Sequence, residues 1–200
     1  MPRQLSPTDI DDFRDRLIDT AERLFAEKGL EAVSLRQLAA ELEVSAMTPY
    51  RYFADKQAIL AAVRVRAFDR FAQALETAFA GEGDLIVRAE AAGQAYVRFA
   101  FEHSAAYRLM FDLRQPDEAD YPDLVRASAR ARATLTAHID ALMAAGLLQG
   151  DPLLIAHAYW AQLHGLIGLK LADKIEPGVD FAAALDTALN ALARGFGARG

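Results

Sequence analysis

The chain has 200 residues and a mass of 21.8 kDa, which fits one or at most two domains. Hydrophobic residues make up 53% and charged residues 25%, so a real core can form and disorder as the main state is excluded. With no cysteine there can be no disulfide framework, cysteine-ligated zinc, iron–sulfur cluster or thiol nucleophile, and the net charge of −6 argues against a uniformly basic nucleic-acid coat or a polybasic membrane anchor.

Met1 to Arg16 mixes acids with arginines where a signal peptide needs an unbroken apolar run, so no targeting segment is expected. The first predicted helix opens at Ser6, Pro7 and Asp9, which read as N-cap, first-turn proline and capping-box acid. Its apolar stripe of Ile10, Phe13, Leu17, Ala21, Leu24 and Phe25 ends at Gly29. A short second helix starts at Ser34, with Gln37 completing a capping box, and buries Leu35, Leu38, Ala39 and Leu42. After Glu43 and Val44, Ser45 reads as the N-cap of a third short helix from Ala46 to Phe53. Asp55 caps a long fourth helix running through Ile59, Leu60, Val63, Ala67, Phe71 and Leu75 toward Phe79, and Gly81 and Gly83 break it.

Further helices are predicted at Leu85 to His103, Ala105 to Phe111, Pro122 to Ala145, Pro152 to Lys174 and Asp180 to Phe196, with a loop at Leu113 to Tyr121. The most apolar stretch, Leu153 to Ala172, holds His157, Gln162, His164 and Lys170, which favours a buried or interface helix over a membrane span. No strand-like alternation is sustained. The expected fold class is all-α.

The segment Ser34 to Phe53 has the layout of a helix-turn-helix. The run from Ala46 to Phe53 carries two tyrosines, an arginine and a threonine with few aliphatics, a content better suited to phosphates and base edges than to a core. Phe25 with Gly29, Ser34, Leu38-Ala39, Val44-Ser45, and Tyr50 with Phe53 and Lys56 occur in order within Leu17 to Val63, about a quarter of the chain. This pattern resembles the TetR family of bacterial transcriptional regulators. The resemblance implies a three-helix DNA-binding head, residues 1–55, joined by a long helix to an effector-binding and dimerisation body, residues 56–200. Glu43 stands where the family usually has glycine, and a left-handed conformation there would cost about 1 kcal/mol. Pro49 replaces the usual leucine and cannot donate the first intrahelical hydrogen bond, so a distorted first turn is expected.

Residue roles combine the chemistry with the resemblance. Ser34 and Ser45 would offer hydroxyls and backbone N–H groups to phosphates, and Tyr50, Tyr52 and Lys56 would add backbone contacts. Arg36, Ala46, Met47, Thr48 and Arg51 are candidates for base edges. Tyr50 and Phe53 have the alternative of pinning the segment to the core, and Arg36 that of a solvated charge. For an effector pocket the candidates are Tyr96, Phe99, His103, Tyr107, Met110, Phe111, Trp160 and His164.

Trp160, His164 and Gly165 resemble the signature of a TetR subgroup with a Trp-His-Gly C-terminal domain. Trp160 and His164 share a helix face, directed either at the pocket or at a partner subunit. Candidates for the dimer interface are His157, Ala161, Gly165, Gly168, Leu185 and Leu189. The expected function is a homodimeric cytoplasmic repressor, without cofactor, metal or membrane, that leaves a palindromic operator when a small molecule binds. A helical adaptor for a protein partner is the alternative. No zinc-binding histidine pair, phosphate loop or nucleophile elbow suggests an enzyme.

Residues 1–66 hold 10 basic and 11 acidic side chains, and within residues 34–66 the count is 5 basic to 3 acidic. Most of the negative charge therefore belongs to the expected effector half, and DNA binding should show a shallow salt dependence.

Overall fold

A computed structural model describes residues 7–111 and 118–197. Ser6, read as the first N-cap, and residues 113–117 of the expected loop lie outside the described residues. Among the described residues there are eight α-helices and no strand: α1 (Pro7–Lys28), α2 (Leu35–Glu41), α3 (Lys56–Phe79), α4 (Leu85–Glu102), α5 (Ser104–Phe111), α6 (Pro122–Ala144), α7 (Pro152–Leu171) and α8 (Phe181–Phe196). Short 3-10 turns occupy Pro49–Arg51 and Glu118–Asp120. No described helix is long and apolar enough to cross a membrane.

Side-chain caps set most of the starts. Gln37 N donates to Ser34 Oγ at 3.3 Å while Ser34 N donates to Gln37 Oε1 at 2.7 Å, a complete capping box. Aspartates 55, 84, 151 and 180 accept N–H groups at the heads of α3, α4, α7 and α8, where a carboxylate also meets the positive end of the helix dipole. Asp180 is thus the cap of α8 rather than its first residue.

Two helices end in Schellman turns built on carboxylates. After α2, Val44 N donates to Ala39 O at 2.9 Å and Glu43 N to Ala40 O at 3.1 Å, with Glu43 left-handed at φ 55°. After α7, Lys174 N donates to Leu169 O at 2.8 Å, with Asp173 at φ 54°. That turn stops α7 at Leu171, short of the Lys174 expected from the apolar pattern.

The third expected helix is corrected. Ala46 to Phe53 is a turn followed by the 3-10 turn Pro49–Arg51, capped by Thr48, and Ser45 caps no helix. Pro49 has no N–H to give to Ser45 O, and its ring crowds that carbonyl. The chain falls back on short bonds from Thr48 N to Ser45 O (2.8 Å) and from Arg51 N to Thr48 O (3.1 Å).

The chain divides into two compact units, residues 1–68 with 105–128, and residues 69–104 with 129–200. In the first, Leu17, Ala21, Leu24 and Phe25 of α1 pack with Leu35 and Leu38 of α2, Phe53, and Ile59, Leu60 and Val63 of α3. Leu109 of α5 joins the same core from far along the chain. In the second, α7 packs on α8 and α4, and Phe71 meets Tyr96 and Phe99 edge to face at 5.1 and 5.3 Å. A further cluster joins Ile139, Leu148, Ile155 and Ala156, closed by Phe196 and a 2.8 Å bond from Gln149 N to Phe196 O. Helices α3 and α6 contribute residues to both units.

Candidate functional site

The segment between α2 and α3 has an inner and an outer side. Pro49 is buried and Phe53, 5% exposed, belongs to the core of the first unit. Ala46 and Arg51 are exposed, as are Met47 at 67% and Tyr50 at 48%. Of the two anchoring alternatives, Phe53 takes the core role and Tyr50 does not. Thr48 is half-buried. Ser34, Arg36 and Ser45 are exposed beside this segment, and Ser45 Oγ accepts Met47 N at 3.4 Å. Two methyl-bearing or apolar groups, Ala46 and Met47, therefore stand on the outer side with one guanidinium and one phenol, a set able to meet thymine methyls, guanine acceptors and phosphates.

The remaining two candidates are tied to the fold. Tyr52 is half-buried, its ring 4.6 Å from that of Phe13 of α1. Lys56 Nζ donates to Leu30 O at 3.0 Å and lies 4.0 Å from Glu31. The sequence pattern places Phe13 only in the α1 stripe and gives Arg14 no role, yet the Arg14 guanidinium lies 4.8 Å from the Phe53 ring centroid. Sequence carries no signal for either contact.

The basic excess counted over residues 34–66 is thinner in space. Arg66 bonds Asp15 O at 3.1 Å and pairs with Asp19 at 3.1 Å. Arg64 is 3% exposed, and its Nη2 donates to Glu118 Oε1 at 2.7 Å. Glu118 Oε2 in turn accepts Ser128 Oγ at 2.8 Å. Nε and Nη1 of Arg64 are buried without a hydrogen-bond partner, and burial lowers its pKa against the opposing pull of Glu118. A charge four residues after Leu60 and four before Phe68, on an apolar stripe, is the sequence sign of this buried guanidinium. Arg36 and Arg51 are left as the exposed cations of the segment.

The pocket candidates fall in both units. In the second, Tyr96 is fully buried and Phe99 4% exposed, and Trp160 Nε1 donates to the Tyr96 hydroxyl at 3.0 Å. Trp160 and His164 are half-buried with rings 6.3 Å apart, and burial lowers the His164 pKa. His103 is exposed, 4.9 Å from the Phe99 ring. In the first unit Tyr107 and Met110 are buried, and Phe111 meets Tyr107 at 5.0 Å and Phe68 at 6.0 Å.

The interface candidates His157, Ala161, Gly165 and Gly168 are all exposed on α7. A Cβ added at Gly165 or Gly168 would meet nothing within 4 Å. Leu185 and Leu189 are half-buried on α8, a helix that buries no residue fully. Among the described residues no group of three or more His, Asp or Glu gathers as a metal site.

This arrangement has counterparts. Residues 89–192, half of the chain, match the model of the tetracyclin repressor-like C-terminal domain, and residues 17–63 that of the bacterial regulatory proteins of the tetR family. The HTH-type transcriptional activator FasR of Mycolicibacterium smegmatis is 27% identical over 161 residues, covering 80% of this chain and 70% of that protein. A protein of unknown function from Rhodococcus sp. RHA1 superposes with a TM-score of 0.81 at 29% identity, over 98% of both chains. A TetR family transcription regulator from Marinobacter aquaeolei VT8 does so at 0.73 and 21%, over 97% and 100%. With its N-terminal and C-terminal parts both matched and its helices in the same order, the chain belongs to the TetR family of DNA-binding transcriptional regulators.

Proposed function

We propose that the chain is a homodimeric repressor that holds a palindromic operator and leaves it when a small molecule binds. Residues 1–55 act as the DNA-binding head and residues 56–200 as the effector-binding and dimerisation body. The observation that carries this is the segment 46–53, which buries Pro49 and Phe53 while presenting Met47, Tyr50 and Arg51. Ser34, Ser45 and Lys56 beside it, with Tyr50 and Tyr52 within it, serve the phosphates, Lys56 while also holding Leu30 O. Arg36, Ala46 and Thr48 join Met47 and Arg51 at the base edges. A single short element reads few bases, so a two-fold pair reading half-sites about 34–36 Å apart supplies specificity.

The face of α7 with Ala161, Gly165 and Gly168, open to a close neighbour, together with Leu185 and Leu189 of α8, forms the dimer seam. His157 lies at its edge. Tyr96, Phe99, His103, Trp160 and His164, all within the second unit, receive an apolar effector with a few polar groups. The Trp160, His164 and Gly165 spacing supports placement in the Trp-His-Gly subgroup. Since α3 contributes to both units and follows the reading segment directly, it is a covalent route for the signal, with a coupling of about 1 to 3 kcal/mol.

A gel shift with DNA upstream of the protein's own coding region tests this. A salt-sensitive shift is expected, and Arg51→Ala should weaken it by about 1 to 3 kcal/mol. An unchanged affinity removes Arg51 from the reading set. Reporter transcription from the same DNA should rise when the protein is deleted, whereas a fall makes it an activator. Absence of any shift favours an adaptor, for which Leu153 and Leu154 of α7, 61% and 69% exposed, are the natural contact.

A further inference from the structure

The segment proposed to read DNA lacks what normally orients a recognition element. Pro49 removes a backbone donor, and of the backbone bonds within Thr48 to Phe53 only Phe53 N to Pro49 O, at 3.0 Å, spans four residues. Tyr52 N donates to the same Pro49 carbonyl at 3.0 Å, so one acceptor serves two donors. A 3-10 turn of three residues is too short to fix its own direction. Something outside it must.

Two adjacent residues of α1 meet two adjacent residues at the end of this turn. The Phe13 ring lies 4.6 Å from the Tyr52 ring, and the Arg14 guanidinium stands 4.8 Å over the Phe53 ring. Phe53 is 5% exposed, so Arg14 helps cover the outer face of a ring whose other side is in the core. Helix α1 is itself held to α3 by Arg66, which bonds Asp15 O and pairs with Asp19. The turn is therefore gripped at its C-terminal end by side chains of a 22-residue helix, in place of its own ladder.

We infer that Phe13 and Arg14 are positioning residues for operator recognition, setting the angle at which Met47, Tyr50 and Arg51 are presented. This rests on the proposed DNA-reading role of residues 46–53. Ring pairs and cations over rings supply directional attraction, which undirected core burial does not. The brace is needed because of Pro49, so its importance should fall when that position regains a donor.

The test is a cycle of four proteins: wild type, Phe13→Leu/Arg14→Met, Pro49→Leu, and the triple variant. Leucine and methionine keep apolar volume against Tyr52 and Phe53, and Pro49→Leu restores an N–H with a good helix former. Each is titrated against the upstream DNA at three salt concentrations, and amide hydrogen exchange of the free proteins is followed at Tyr52 and Phe53. With Pro49 in place the double change should weaken DNA binding about tenfold and speed exchange at both amides about tenfold. In the Pro49→Leu background both effects should shrink below about threefold.

Equal losses in the two backgrounds overturn the inference. A salt slope smaller by about one unit per subunit overturns it too, because Arg14 is then a phosphate contact. If no protein of the four shifts DNA, the functional reading fails, while the exchange cycle still decides whether Phe13 and Arg14 orient the turn.

Discussion

Removing the Glu118 carboxylate should cost far more than removing an ordinary surface acid. Arg64 is 3% exposed and Glu118 32%, so truncation strands a buried guanidinium whose Nε and Nη1 already lack partners. Its Nη2 would keep only a 3.4 Å approach to Met110 O. Breaking a buried pair from one side costs about 3 to 5 kcal/mol. Glu118 is a third exposed, so water can reach the orphaned Nη2, and Ser128 Oγ can fall back on Val125 O at 3.2 Å. A value at or just below the bottom of that range, about 2 to 3 kcal/mol, is expected for Glu118→Ala, a fall in Tm of about 5 to 10 °C for a chain of this size. Urea unfolding and differential scanning calorimetry measure it. The paired change Arg64→Met/Glu118→Leu should recover most of the loss, because an apolar pair has no desolvation to offset. A loss under about 1 kcal/mol for Glu118→Ala, or a paired variant no better than the single one, would refute the assignment of a costly buried charge.

Four shorter predictions accompany it. Glu43→Gly should raise stability by about 1 kcal/mol, seen as a Tm higher by about 2 to 4 °C, since glycine adopts φ 55° without a Cβ penalty. His138 is held neutral by burial, so its folded pKa lies below the unfolded value. Its contribution is then present above pH about 6.5 and is lost as pH falls below it, by at most about 1.4 kcal/mol per pH unit, and His138→Leu should flatten that part of the Tm–pH curve. With Arg36, Arg51 and Lys56 as the cations offered to DNA by each subunit of the proposed dimer, the log Kd against log salt slope should stay at about 5 or less in magnitude, at roughly 0.9 per phosphate contact. Trp160 is the chain's single tryptophan and bonds Tyr96, so Tyr96→Phe should shift its emission maximum, and an effector in that region should do the same in the wild type.

Local chemistry explains what is legible in the sequence. Ser34 with Gln37, Asp55, and Asp151 before Pro152 announce helix starts, because a cap and its N–H partner lie within three residues of each other. Pro49 reads as a distortion, but its reach is greater than a distorted first turn. In a segment so short, one missing donor leaves too few bonds for an α-helix. Asp173 shows the converse, an apolar pattern continuing past a turn that a left-handed carboxylate has already made. Contacts between distant residues have no sequence trace. The Arg64–Glu118 pair spans 54 positions and the Tyr96–Trp160 bond 64, and nothing in the spacing of either residue names its partner. The exposed side of residues 46–53 is legible because polar and aromatic residues stand where a core helix needs aliphatics. Phe13 and Arg14 are not, since each fits an ordinary amphipathic helix.

The last helix has a consequence for how the protein behaves at low concentration. Apart from the pinning of Phe196 and the meeting of Phe181 with Phe101 of α4, α8 rests on α7 with no side chain fully withdrawn from water, and α7 itself exposes Leu153, Leu154 and Leu169. A second copy seated there, as proposed, would add its binding free energy to the fold by mass action, so the midpoint of unfolding would become a function of how much protein is present. A regulator kept at few copies per cell would sit on the dilute side of that curve, where degradation competes with assembly. On the proposed function, protein abundance would then join the effector as a variable that sets how long the operator is occupied.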